Sequence, residues 1–192
     1  MTSALQEPQA VLDDEVEAAF IRRAIDASND RDLVPVPAGT IVVGDDGSDS
    51  ALNALESALD FAERFGAHVV VVQSWTIDAS LGELSDHHGY MRSFGEVTQS
   101  LRTRLTALRG PAVSEHPGVA VEFRAILAPP VEALVDVSRD AVMLVLGSRG
   151  LGALGGLVLG SVGGQCLRRA HCPVLVVPHR TSVVGMTHPV AR

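Results

Sequence analysis

Apolar residues recur in this chain in two alternating rhythms from about position 40 onward. Short runs dense in Val, Ile and Leu at 40–45, 67–74, 119–127, 141–146 and 174–177 read as strands. Between them lie stretches with helical spacing. The clearest is 50–65, where Leu52, Leu55, Leu59 and Phe61 recur. A loop running through Tyr90 leads into a helix ending near Arg109, and further helices are predicted over 130–139 and 161–170. Near-continuous apolar strands alternating with helices predict an α/β fold. It is an open five-stranded parallel sheet with helices on both faces, Rossmann-like in class.

The same reading divides the chain into three parts. Residues 1–38 form an acidic extension in which Glu7, Asp13, Asp14, Glu15, Glu17, Asp26, Asp30 and Asp32 outnumber Arg22, Arg23 and Arg31. Within it 9–27 reads as a helix, since Leu12, Val16, Phe20 and Ala24 repeat at i+4, acids crowd its first turn and arginines stand near its end. Pro35 and Pro37 separate it from a domain spanning 39–178, and 179–192 form a tail. The extension reads either as a solvated arm or as a helix that binds a protein partner.

The chemistry concentrates after the fourth strand. Gly147, Gly150, Gly160 and Ser161 form the pattern G-x2-G-x9-G-S, placed between an apolar strand and a predicted helix. Such a junction gathers free backbone N–H groups and the positive end of a helix dipole, which together make an anion site. Glycine there also lets a phosphate approach without a Cβ in the way. From position 141 to the end there is no Asp or Glu, while Arg149, Arg168, Arg169, Arg180 and Arg192 all occur. In a chain of formal net charge -8, that segment is where a polyphosphate would be favoured. Ser161 reads as the helix N-cap with a hydroxyl that also faces phosphate. Arg149 reads equally as a phosphate partner or a solvated side chain.

This motif stands between Ile41-Val-Val-Gly-Asp-Asp-Gly-Ser48 upstream and Cys172-Pro-Val-Leu-Val-Val177 downstream. Together the three blocks resemble the universal stress protein family over roughly 39–178. The resemblance implies an adenine nucleotide alpha hydrolase-like sheet in which the first and fourth strands are neighbours. It implies an ATP site, with or without Mg, built from Gly44, Asp46 and Ser74 on one side and Gly147, Ser148, Arg149, Gly150, Leu151, Gly160, Ser161 and Val162 on the other. Asp46 suits an adenine amino group or a ribose hydroxyl, whereas Ser48 reads better as the cap of the first helix. The resemblance further implies a homodimer joined through the last strand, 173–178. Gly163 and Gly164 stand where many nucleotide-binding members carry a hydroxyl residue, and Ala128 replaces a common glycine.

Composition narrows the alternatives. The chain contains no lysine, which rules out a Walker A loop and a lysine nucleophile. Gly150-Leu-Gly152-Ala-Leu-Gly155 matches a dinucleotide fingerprint, yet no acid follows to hold a ribose. An acidic balance, with pI near 5.3, argues against nucleic acid. No apolar stretch approaches the ~18 residues of a membrane span, and no signal peptide is visible. Cys166 and Cys172 read as reduced thiols, so a cytoplasmic location is expected. His87 and His88 read as solvated side chains, and no metal or catalytic set stands out. The expected function is an ATP-binding regulatory module of the stress response, signalling through dimer or partner contacts. The alternatives are a dimeric interaction protein that has lost nucleotide binding, and a slow ATPase.

Overall fold

The computed structural model describes residues 33–78, 92–148 and 159–178. In chain order these form β1 (Thr40–Gly44), α1 (Asp49–Phe65), β2 (His68–Trp75), α2 (Phe94–Ser114), β3 (Val121–Leu127), α3 (Pro130–Val137), β4 (Met143–Gly147), α4 (Ser161–Arg169) and β5 (Val174–Val177). The five strands make one sheet in the order β3-β2-β1-β4-β5, and every neighbouring pair is parallel. Because parallel neighbours cannot be joined by a tight turn, each connection carries a helix across a face of the sheet.

The strands explain why both faces are covered. On one face Ile41, Val43, Val69, Val71 and Val145 pack with Ala54, Leu55, Ala58 and Leu59 of α1 and Leu105 of α2. On the other Val42, Val70, Val72, Ile126 and Leu144 pack with Val131 and Leu134 of α3 and Cys166 of α4. A third cluster, toward the end of β2, gathers Trp75, Val97, Leu101, Ala125 and Leu127. Trp75 meets its one polar need there by donating from Nε1 to Thr98 Oγ1 at 3.2 Å. Each fully buried Val or Leu contributes roughly 1.5–3 kcal/mol relative to exposure, so two apolar faces per strand are the main source of stability.

Local signals fix the helix ends. Ser48 caps α1 by accepting from the Ala51 N–H, and Gly66 ends it in the left-handed region at φ 65°. Ser93 and Glu96 form a reciprocal capping box at the start of α2. The N–H and hydroxyl of Ser93 both bond the Glu96 carboxylate, and its carboxyl is held below the usual range by them. The structure corrects the predicted end of α2 near Arg109: the helix continues to Ser114 with Pro111 inside it. A proline in a helix interior removes a hydrogen bond and crowds the preceding turn. Here Ala112 and Val113 pack against the core, and that burial offsets the cost.

The chain joins the domain before the two prolines have been passed. Val36 is 1% exposed, and its N–H donates to the Val137 carbonyl at 3.0 Å. Arg124 on β3 donates from Nη1 to the Val34 carbonyl at 2.7 Å while pairing with Glu122 through Nε at 2.8 Å. The predicted helix at 9–27, the loop with His87 and His88, and the tail 179–192 lie outside the described residues.

Candidate functional site

The winding of the sheet reverses between β1 and β4. From β1 the chain steps outward through β2 to β3, then crosses back under α3 to lay β4 on the other side of β1. At such a reversal the two connecting loops diverge and leave a crevice beyond the carboxyl ends of the strands. The β1–β4 register, Val43 against Val145, brings Gly44 and the Asp45–Ser48 turn beside Leu146 and Gly147. Ser74 stands near the end of adjacent β2, where it pairs with Ile126. The structure therefore gathers Gly44, Asp46, Ser74, Gly147 and Ser148 at one end of three neighbouring strands. Arg149, Gly150 and Leu151 lie outside the described residues.

The glycine loop is closed at its base. The Gly160 N–H donates to the Ser148 carbonyl at 3.0 Å, and the Ser148 N–H donates to Val177 at 2.8 Å. The loop thus leaves and returns at one point, beside the start of α4. Gly160 is the N-cap, without a side chain to cap the helix, and Ser161 is the first helical residue. This corrects the reading of Ser161 as the cap. The first intrahelical bond runs from the Gly164 N–H to the Gly160 carbonyl at 3.0 Å. The amides of Ser161, Val162 and Gly163 precede it and have no partner within the helix by construction. Ser161 is exposed, Val162 half-buried and Gly163 buried.

Two of the glycines have a reason inside the protein. A Cβ on Gly147 would stand 2.5 Å from Ser50 Oγ and 2.6 Å from the Ser50 carbonyl oxygen. The end of β4 therefore lies directly against the first turn of α1. A Cβ on Gly44 would instead meet the tips of Leu146, at 2.6 Å, and Leu134, at 3.1 Å. Glycine at 44 and 147 lets α3 and α1 close on the sheet from opposite faces, whatever the crevice holds.

The Asp45-Asp46 doublet splits into two roles. Asp45 continues the inward register of Ile41 and Val43; its side chain is fully buried and takes two hydrogen bonds from Arg109, at 2.6 Å from Nε and 2.9 Å from Nη2. The same Nη2 donates to the Ser48 carbonyl at 2.9 Å, and the Gly47 N–H donates to Asp45 Oδ1 at 2.7 Å. Asp46 is exposed, and its Oδ1 accepts from the Ser48 N–H at 3.1 Å. Asp46 faces out while Asp45 anchors the turn. Sequence reasoning missed this buried pair, although one signal was present. Val97, Leu101, Leu105 and Arg109 share one i+4 stripe, so the arginine occupies a core position.

An open parallel sheet whose winding reverses between β1 and β4, with an acidic turn after β1 and a helix that starts beside the end of β4, defines a Rossmann-like class of α/β proteins. The sequence profile of the universal stress protein family matches residues 38–178, and the chain belongs to that family. It is 31% identical over 166 residues to universal stress protein Rv2005c of Mycobacterium tuberculosis, covering 84% of this chain and 54% of that one. It is 33% identical over 141 residues to a universal stress protein of Thermus aquaticus, covering 72% of this chain and 97% of the relative. The chain spans about half the length of the mycobacterial relatives it matches. Among solved structures it resembles a universal stress protein in complex with cAMP, at 26% identity and a TM-score of 0.52, over 76% of this chain and all of that one. The fold is also that of the structural-genomics protein MJ0577, at 22% identity and a TM-score of 0.56, over 77% of this chain and all of that one.

Proposed function

We propose that the chain is an ATP-binding regulatory module of the stress response that holds adenine nucleotide in the β1–β4 crevice. The observation that carries this reading is the closed glycine loop. With Gly160 bonded to the Ser148 carbonyl, α4 starts at the same end of the sheet as exposed Asp46, and the Ser161, Val162 and Gly163 amides have no partner within the helix, which supports an anion there. Those amides and the Ser161 hydroxyl suit phosphate oxygens. Asp46 suits the amino or hydroxyl donors of adenosine, which carry hydrogens an ionised carboxylate accepts. Ser74 and Gly44, at the ends of β2 and β1, would form the crevice floor, and the Gly147–Leu151 segment would complete the phosphate side, with Arg149 adding positive charge. The likeness to a structure holding cAMP supports an adenine nucleotide over other anions. Any Mg would arrive with the nucleotide's phosphates.

The nucleotide acts here as a signal rather than as a substrate in fast turnover. Phosphoryl transfer usually needs a positioned base and metal-binding acids, and the described residues after β4 contain no acid. Signalling would pass through a homodimer. Among the described residues β5 is an edge strand paired with β4 alone, and Val174, Leu175 and Val176 are all partly exposed. An apolar edge of this kind is relieved by pairing, and a two-fold partner strand would satisfy it. The 9–27 segment is left for a protein partner. A cytoplasmic location accords with reduced Cys166 and Cys172, and among the described residues no helix is long and apolar enough to cross a membrane.

Mass spectrometry of small molecules released by denaturing the purified protein tests the ligand directly. An adenine nucleotide in stoichiometric amount is expected. Its absence, together with an unchanged melting temperature in millimolar ATP, would leave the chain as an interaction protein of the same fold.

A further inference from the structure

The Asp45–Arg109 pair does more than join α2 to the sheet. One guanidinium reaches both ends of the turn that carries Asp46. It grips the Asp45 carboxylate with Nε and Nη2, and with the same Nη2 holds the Ser48 carbonyl. Between those two anchors lie only Asp46 and Gly47. Gly47 adopts φ 88°, a left-handed conformation that side chains rarely take, and is fastened by its own N–H to Asp45. Arg109 is 3% exposed, so bulk solvent cannot substitute for it.

We propose that Arg109 is the positioning residue of the nucleotide-contacting turn, fixing where Asp46 presents its carboxylate to the adenosine moiety. The proposal rests on the adenine-nucleotide reading above. Its physical basis is geometric. A planar guanidinium donates in two directions at once, to a carboxylate and to a carbonyl, whereas a lysine ammonium in its place lacks that rigid fork. A lysine there keeps the charge that Asp45 needs but loses the tie to the Ser48 carbonyl, which is left to its helix bond from the Leu52 N–H. With that contact gone, the Asp46-Gly47 turn would sample several conformations, and Asp46 with it would lose ligand contact.

The test is a cycle of ATP titrations on the full chain: wild type, Arg109→Lys, Asp46→Ala and the double variant. Arg109→Lys is expected to weaken ATP about tenfold, within the range of coupling between contacting residues. In the Asp46→Ala background the same change is expected to do nothing further, because the arginine acts through Asp46. Equal losses in both backgrounds would overturn the proposal, as would wild-type affinity in Arg109→Lys. Should that variant fail to fold, Asp45→Asn with Arg109→Leu removes both charges and extends the apolar stripe of α2. Weakened ATP binding by the folded double variant is expected; undiminished binding would overturn the proposal. Wild-type protein that binds no ATP would defeat the nucleotide reading itself, a result distinct from an intact affinity in the variants.

Discussion

Replacing Gly147 by alanine is the sharpest probe of how the crevice is built. The added Cβ would lie 2.5 Å from Ser50 Oγ, 2.6 Å from its carbonyl oxygen and 2.7 Å from its carbonyl carbon, where ordinary contact begins at 3.4 Å. Two of those three atoms are backbone in the first turn of α1, and Ser50 is 3% exposed. The overlap cannot be relieved by turning a side chain. β4 and α1 must separate by most of an ångström, disturbing the layer around Val43, Ala54 and Val145. Overpacking of this kind costs about 1–3 kcal/mol. For a chain of this length each kcal/mol lowers Tm by roughly 2–4 °C, so a fall of about 2–12 °C is expected. Two internal controls sharpen the reading. In Gly44→Ala the nearest atoms are the flexible tips of Leu146 and Leu134, so a smaller loss is expected. In Gly164→Ala the nearest atoms stand 3.9 Å and 4.0 Å away, and helix propensity predicts a gain of about 0.5–1 kcal/mol. Thermal unfolding by circular dichroism without nucleotide separates the three. Gly147→Ala melting within a degree of wild type would refute the packing argument and return that glycine wholly to the ligand.

Other expectations follow from the same geometry. Cys166 is fully buried, and burial pushes its thiol up from 9.0 to about 11, so at pH 8 a maleimide should label half-buried Cys172 and spare Cys166 until the protein unfolds. The unfolded chain gives up that thiol proton near pH 9 while the folded chain keeps it. This contribution is therefore intact below pH 9 and is lost as pH rises toward 11; a midpoint in urea that rose over that window would contradict it. Val176→Lys should convert a dimer to a monomer near 20.2 kDa by light scattering with little loss of stability, because Leu175 and Val177, not Val176, pack into the core beneath the edge; a variant still at twice that mass would remove β5 from the interface. ATP turnover should fall far below the roughly 10 s⁻¹ of a median enzyme, and a rate near it that disappeared in Asp46→Ala would reveal a catalyst.

The fold was legible because each strand carries apolar residues on both faces, a pattern that only a doubly covered parallel sheet satisfies. The strand before the glycine motif and the helix after Gly160 were legible, and so was Ser48 as a cap. Three features were not. The end of α2 was hidden because Gly110 and Pro111 are local stop signals, overridden by the burial of Ala112 and Val113. The roles within Asp45-Asp46 were hidden because the deciding residue, Arg109, is 64 positions away. The packing demands on Gly44 and Gly147 were hidden because α3 and α1, which close on them, lie elsewhere in the sequence, and at Gly147 approach by a phosphate asks the same thing of a backbone. Only the arrangement of α1 and α3 distinguishes those demands.

The central claim, that the β1–β4 crevice binds an adenine nucleotide, is tested most directly by isothermal titration of the wild-type chain with ATP, alongside GTP and the Asp46→Ala variant. Saturable binding of one ATP per chain, weaker binding of GTP and a marked loss in Asp46→Ala are predicted. No heat with millimolar ATP, or equal affinity for ATP in wild type and Asp46→Ala, would contradict the site as described.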